Sequence, residues 1–210
     1  ISGNADIDGT LEADAYTLGG SAFIKLAGTN FTGSLLLGHA TTGTLDAATY
    51  NTGIGLTTLD ALTQGDFNTA VGYGAATALT TGLGNVAIGY TAMGNIVSGD
   101  YNVGIGQGAL SLVTGDRNIA IGYGSGNNIT SGDFNVVIGR ADVASATGDR
   151  QLKISDGDDG AVLWIAGDSS GNITMPAEVA AATLDISGNI DIDGTSNLDA
   201  VDIDGAVQID

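Results

Sequence analysis

Residues 85–89 read Asn85-Val-Ala-Ile-Gly89, and close copies of this pentapeptide recur through the middle of the chain. The clear copies begin at Asn51, Asn68, Asn85, Asn102, Asn118 and Asn135. Degenerate copies flank them, Ser34-Leu-Leu-Leu-Gly38 before and Gln151-Leu-Lys-Ile-Ser155 after. Successive copies start 16 or 17 residues apart. A fixed period this short predicts a solenoid in which each copy contributes one coil.

The composition favours an all-β chain with many tight turns. The 210 residues include 35 Gly, one Pro and no Cys, and the acidic residues are almost all Asp, which favours turns over helices. A net charge of −19 argues against nucleic acid or an anionic membrane as a partner. No apolar run approaches the roughly 18 residues that a membrane-spanning helix needs, so we expect no membrane insertion.

Repeats and composition divide the chain into four expected segments. An Asp- and Ile-rich β module at 1–33 precedes the β-roll array at 34–150. A β-hairpin or meander follows at 151–176, and 177–210 contain a linker and a second Asp/Ile module. The first ten residues match residues 186–195 at nine of ten positions, so we expect the chain to be one period of a longer fibre.

Aliphatic residues recur at the fourth position of each copy, counting its Asn as the first. They are Leu37, Ile54, Val71, Ile88, Ile105, Ile121, Ile138 and Ile154. We expect this row to form the coil interior, with the second position facing the same way. The row six residues before each Asn is expected to form the opposite wall; it contains Leu45, Leu62, Leu79, Ile96, Leu112 and Ile129. Each coil would then hold two short strands and two turns, in a rod of roughly 40 Å.

Small residues occupy the third position, which this assignment places on the outside. They are Gly53, Ala70, Ala87, Gly104, Ala120 and Val137. Small apolar residues on an outer face permit close approach by another copy of the chain. We therefore expect a cyclic homotrimer that buries this face. The alternative is that small residues are merely tolerated on a thin edge.

The turns carry a second regular pattern. From Asn68 onward, Gly stands three residues before each Asn and before Gln151, and it is usually followed by Asp, as at Asp66, Asp100, Asp116, Asp133 and Asp149. This is turn chemistry. The stacked Asp side chains would gather cations or be neutralised by Arg117 and Arg150. The Asn side chains are expected to form an amide ladder along the stack, which is a structural role.

The sequence contains no recognisable set of catalytic residues and no cofactor-binding motif, so we do not expect an enzyme. His39 is the only histidine and follows a bend glycine, which favours a surface turn. The weak Ca²⁺ candidates are Asn4, Asp6 and Asp8, repeated as Asn189, Asp191 and Asp193, because their spacing imitates the start of an EF-hand loop. Both copies lack the Glu that closes such a loop. Tyr73, Tyr90 and Tyr123 follow bend glycines and are candidates for surface contact with a sugar, a strand edge or a neighbouring chain.

The Asn-x-x-aliphatic-Gly repeat over about residues 34–155 resembles the head repeats of trimeric autotransporter adhesins. The resemblance implies a trimeric, left-handed parallel β-roll. The flanking segments Gly33–Leu45, Ala166–Ile173 and the Asp-Ile-Ser-Gly-Asn module resemble tail fibres of tailed phages. That resemblance implies a structural segment of a virion fibre that mediates or supports host attachment. Its partners would be other tail proteins and a host surface glycan or protein. The alternative is a bacterial surface adhesin head or an extracellular filament subunit.

Overall fold

The chain forms a parallel β-solenoid in a computed structural model that describes residues 15–18, 21–26, 34–37, 47–156, 158 and 161–176. The described residues contain twelve strands in one sheet, and their order in the sheet is their order in the sequence. None of the described residues is helical. The predicted all-β solenoid with coils of 16–17 residues is confirmed.

Eight parallel strands, one from each copy of the pentapeptide, make up the solenoid. They are β3 (Leu35–Leu37), β4 (Thr52–Ile54), β5 (Thr69–Val71), β6 (Val86–Ile88), β7 (Val103–Ile105), β8 (Ile119–Ile121), β9 (Val136–Ile138) and β10 (Leu152–Ser155). Equivalent positions pair in register, as Val86 does with Val103 and Ile88 with Ile105. At about 4.8 Å per strand, this part of the sheet is about 34 Å long.

Antiparallel strands extend the sheet at both ends. β1 (Ala15–Leu18) pairs with β2 (Ser21–Leu26), and β2 pairs antiparallel with β3. At the other end β10, β11 (Leu163–Gly167) and β12 (Ile173–Thr174) form an antiparallel meander. The solenoid therefore does not add another coil after β10.

The expected orientation of the strands is wrong. The third-position residues Ala70, Ala87 and Val137 are completely buried, whereas Ile54, Ile121 and Ile138 at the fourth position are 40% exposed. The second and fourth positions thus face outward and the third faces the interior. The first position decides the matter, because each Asn is buried and strand side chains alternate with a period of two.

Small residues suit the interior because larger ones reach it from the rest of the coil. A Cβ atom added to Gly104 would lie 2.7 Å from Cγ of Met93, which fills the space above it. Other buried side chains complete the core: Leu36, Leu59, Leu62, Leu79, Ile96, Leu110, Val113 and Ile129. A narrow coil cannot hold these and a row of Ile as well, since interiors are already close-packed.

The prediction of two strands per coil is also wrong, because each coil has one three-residue strand and closes through turns. Leu59, Met93 and Leu110 lie in these turns with φ of 54°, 52° and 49°, and their side chains are buried. Leu62, Leu79, Ile96 and Ile129 line the interior as expected, and Leu45 lies outside the described residues.

One member of the predicted opposite wall is misplaced. Leu112 is 50% exposed, and its neighbour Val113 is completely buried instead. This coil has 16 residues, and the missing residue comes after the wall position. The buried wall residue therefore keeps a constant spacing from the Asn that precedes it, and in this coil that spacing places Val113 in the wall.

Glycine at the fifth position allows consecutive coils to approach closely. Gly89 has φ of +134°, and a Cβ atom added there would lie 2.6 Å from the carbonyl oxygen of Gly106. Both the backbone angle and the contact exclude larger residues. This bend turns the chain away from the sheet at the same place in every coil.

Candidate functional site

Buried Asn side chains form the predicted amide ladder along one edge of the solenoid. The Nδ2 group of Asn85 donates to Oδ1 of Asn68 at 3.1 Å and to the Gly99 carbonyl at 2.8 Å. Its Oδ1 accepts from the backbone N–H of Asn102 at 2.9 Å. The same contacts recur at the neighbouring Asn residues, so the amide groups of this row are hydrogen-bonded within the solenoid. It is a structural element rather than a ligand site.

The degenerate copies terminate this ladder. Ser34 Oγ accepts from the backbone N–H of Asn51 at 2.7 Å. Gln151 donates both its backbone N–H and its Nε2 to Oδ1 of Asn135, at 2.9 and 3.2 Å. Ser and Gln therefore replace Asn at the first and last rungs of the array and still bond the neighbouring Asn.

The Asp row is bonded along the stack in the same manner. Oδ1 of Asp116 accepts from the backbone N–H of Asp100 at 2.8 Å, and Oδ1 of Asp133 accepts from that of Asp116 at 2.7 Å. Each carboxylate thus stabilises the preceding turn. Within the described ranges, no three His, Cys, Asp or Glu side chains gather as a metal ion would require.

The outer face of the sheet is free of charge along the whole solenoid and is aliphatic apart from Thr52 and Thr69. Its two rows are the second and fourth positions of the strands, and we call them the outer rows. The second position holds Leu35, Thr52, Thr69, Val86, Val103, Ile119, Val136 and Leu152. The fourth-position side chains are partly or well exposed in every rung from Ile54 to Ile154. The fold itself leaves this surface uncovered along the described rungs.

Aromatic and Arg side chains flank the outer rows on both sides, one set just before the strands and the other just after them. On the side before each Asn, Tyr50 stacks on Phe67 with ring centroids 5.2 Å apart. Further along, the Arg117 guanidinium lies 5.3 Å from the Tyr101 ring centroid and 5.5 Å from that of Phe134. Arg117 therefore joins the ring stack, in which cations are attracted to the ring faces.

The three candidate contact tyrosines occupy the other border. Tyr73, Tyr90 and Tyr123 are each about half exposed. Tyr73 and Tyr90 stack with centroids 5.4 Å apart, and the Arg140 guanidinium lies 5.0 Å from the Tyr123 centroid. Gln107 interrupts the row between Tyr90 and Tyr123. Contact between these tyrosines and a partner stays a prediction.

A cleft of about 410 Å³ opens at the C-terminal end of the array. Tyr123, Asn127, Arg140, Asp142 and Lys153 line it. Arg140 Nη1 donates to the Asp158 carbonyl at 2.8 Å, and Asp142 Oδ1 accepts from the Asn128 backbone N–H at 3.3 Å. Two cations and one carboxylate thus converge on one polar cavity.

Sequence reasoning missed this cleft, although two signals point to it. Lys153 occupies the third position of its rung, where the other rungs have Leu, Gly, Ala or Val. Four of the five basic residues lie between Arg117 and Lys153 in a chain whose net charge is −19. A cation in a row of small apolar residues marks the place where the interior opens.

Several predicted sites lie outside the described residues. They are His39 and the six Ca²⁺ candidates Asn4, Asp6, Asp8, Asn189, Asp191 and Asp193. The described part of the chain contains no helix that could cross a membrane. Comparisons of the chain with protein-family models, with curated proteins and with solved structures found no match. The fold by itself defines the class, a repeat protein of the parallel β-solenoid type.

Proposed function

We propose that the chain is a structural segment of a homotrimeric fibre, and that this fibre is a virion tail fibre supporting attachment to a host cell surface. The observation that carries the proposal is the uncharged, mainly aliphatic outer face of the solenoid. Monomeric proteins rarely leave such long contiguous apolar surfaces exposed to water. The attachment role is supported by the repeats, which resemble adhesin heads, and by the flanking segments, which resemble phage tail fibres.

A second copy of the same chain is the partner that best fits this face. Copies with a net charge of −19 repel one another, so they associate most readily where no charge is present. The outer rows meet that condition from Leu35 to Ile154. In a parallel assembly each rung meets the equivalent rung of its neighbour. Because the coils of the two copies have the same spacing, the contact repeats at every rung.

Two outer rows in each strand favour a closed ring over a dimer, and three copies make the smallest such ring. In a cyclic trimer every copy contacts two neighbours, and one row is available for each contact. The third position no longer supports this assembly, because Ala87 and its equivalents are buried within their own coil. The support now comes from Ile88, Ile121 and the other residues that were expected inside.

The test introduces charge into the outer rows. Ile88 and Ile121 are 38% and 40% exposed, so Ile88→Asp with Ile121→Asp leaves the coil interior unchanged. We expect the unmodified chain to have the mass of a trimer in analytical ultracentrifugation and the double variant to have the mass of a monomer. Unpaired carboxylates buried at the trimer axis would cost several kcal/mol.

A matched control adds the same charges elsewhere on the coil. Ser98→Asp with Ser131→Asp alters two exposed turn residues outside the outer rows, and this variant should remain trimeric. A monomeric mass for the unmodified chain at micromolar concentration would refute the proposal. Loss of the trimer in the control variant would mean that charge alone, rather than the face, governs assembly.

The location requires a separate experiment. Antibodies raised against the folded chain should label the tail fibres of intact virions in immunogold electron microscopy. Labelling of a bacterial surface instead would favour the second candidate, an adhesin head or filament subunit with the same trimeric solenoid.

A further inference from the structure

We propose that the cleft at the C-terminal end of the array binds a carboxylate-bearing sugar of a surface polysaccharide. Arg140 and Lys153 would hold the carboxylate, while Asn127 and Asp142 would bind hydroxyl groups. This inference deepens the proposed attachment role and rests on it for its biological use. The chemical claim about the cleft stands on the geometry of the cleft itself.

Lys153 supplies a half-buried cation that no carboxylate of the described residues neutralises. It pairs in register with Val137, and so it belongs to the interior row of the solenoid. The chain turns into antiparallel β11 after this rung instead of closing another coil, so the Lys153 side chain reaches the cleft. In the described part of the chain, no carboxylate lies within ion-pairing distance of its Nζ atom.

Arg140 is held in place by its own contacts. Its Nη1 donates to the Asp158 carbonyl oxygen at 2.8 Å, and its guanidinium covers the Tyr123 ring at 5.0 Å from the centroid. These two contacts use one of the five N–H donors of the guanidinium and one of its faces. The remaining donors are oriented in advance, which lowers the entropic cost of binding an anion.

The other polar groups favour a sugar over a simple anion. Asp142 accepts one backbone hydrogen bond through Oδ1, and its second oxygen is available for a hydroxyl donor. The same carboxylate repels phosphate or another compact anion placed beside it. The Asn127 side chain can both donate to and accept from hydroxyl groups. A volume of about 410 Å³ is in the range of small-molecule binding clefts.

The experiment uses the full chain and compares two saccharides that differ only at C6, which is a carboxylate in one and a hydroxymethyl group in the other. The probes are methyl α-D-galacturonoside and the neutral methyl α-D-galactoside, measured by saturation-transfer NMR titration. We expect the galacturonoside to bind at least about tenfold more tightly, because charge-assisted hydrogen bonds to the carboxylate are lost in the neutral sugar. Binding should weaken as salt is added.

Variants test which residues are responsible. Arg140→Gln and Lys153→Met should each weaken galacturonoside binding by about tenfold or more. Arg117→Gln removes the same charge from the opposite border of the sheet and should bind like the unmodified chain. Arg140 is exposed, so the Arg140→Gln variant should fold even if replacement of the half-buried Lys153 prevents folding. Circular dichroism checks the folding of both variants.

The possible failures are distinguishable. Equal binding of the two saccharides, no binding of either, or unchanged binding by Arg140→Gln would overturn the inference. Competition by acetate and inorganic phosphate at the same affinity would overturn the sugar assignment and leave a general anion site. The same samples are examined by ultracentrifugation, so a trimer without saccharide binding refutes this inference alone. A monomer with binding refutes only the fibre proposal.

Discussion

At the scale of single residues, the buried Asn of each rung is the polar anchor of the coil. Its side-chain amide bonds the Asn residues of the two neighbouring rungs and the carbonyl of the Gly that precedes the next Asn, as at Asn85. Fully satisfied buried amides of this kind favour one register of the stack over slipped alternatives, because any slip leaves polar groups without partners.

Replacement of a central Asn tests this role. Asn85→Ala leaves the Gly99 carbonyl and the Asn102 backbone N–H buried without these partners. We expect the free energy of unfolding to fall by about 3 kcal/mol, since each orphaned group costs about 1–3 kcal/mol. Chemical denaturation followed by circular dichroism measures the change.

Asn95→Ala is the matched control for that measurement. Asn95 is exposed and donates a single hydrogen bond, to the Ser111 carbonyl at 2.9 Å. Its loss should cost less than about 1 kcal/mol, because water replaces the exposed amide. Equal losses in the two variants would show that the ladder contributes nothing special.

At the scale of elements, carboxylate contacts to backbone N–H groups close most of the turns that precede the Asn residues, and also the turn between β11 and β12. In the array these contacts link one coil to the next, as between Asp116 and Asp100. In the turn between β11 and β12 the contacts are local. There Asp168 accepts from the Ser170 N–H at 2.9 Å, from the Asn172 N–H at 3.0 Å and from Asn172 Nδ2 at 2.7 Å.

These contacts make the Asp168 turn sensitive to pH. The Asn172 side-chain amide, followed by backbone N–H groups, lowers the pKa of Asp168 below its usual value of 3.8. The ionised form is therefore favoured in the folded turn. Its stabilisation is present above the usual pKa and is lost as the pH falls through the lowered pKa.

NMR titration of side-chain carboxyl carbons measures this effect directly. The Asp168 resonance should titrate below pH 3.8 in the unmodified chain. Asn172→Ala removes the strongest donor, so it should raise the Asp168 pKa towards that usual value. An unchanged pKa in this variant would mean that the amide contact does not stabilise the carboxylate.

At the scale of the whole molecule, the uncharged outer face and the strongly acidic remainder of the chain have opposite effects on the association of copies. Burial of the outer rows between copies favours assembly. The net charge of −19 on each copy opposes it, and the opposition grows with every copy added. The balance between these two effects depends on ionic strength.

Salt should therefore strengthen the proposed trimer. Raising NaCl from about 0.01 M to about 1 M shortens the Debye length from about 30 Å to about 3 Å and screens the repulsion between copies. Sedimentation equilibrium should show a smaller dissociation constant at high salt. Weaker association at high salt would contradict the prediction and indicate an interface that depends on ion pairs.

A variant with less charge provides the control. Asp149→Asn with Asp158→Asn removes two exposed carboxylates, and the new amide at position 149 keeps an oxygen for the Asp133 backbone N–H. The salt response of this variant should be smaller. An undiminished response would assign the effect to stronger hydrophobic association at high salt instead of charge screening.

The sequence by itself determined the period, the parallel stack, the Asn ladder and the positions of the bends. These follow from local chemistry that repeats in every coil, such as the amide of Asn85 and the unusual backbone angle of Gly89. The first and last copies of the repeat can also be identified from the sequence. Ser34 and Gln151 occupy the Asn position there and still form hydrogen bonds to the ladder.

Only the tertiary structure decided which side of each strand is inside. Alternation with a period of two defines two faces, but both faces are apolar here, so the pattern favours neither. The interior volume settles the matter: Met93 and its equivalents already fill the coil, so Gly104 fits the third position and Ile105 must face out. The cleft at Lys153 is likewise a tertiary feature, because it exists only where β10 leaves the last coil open.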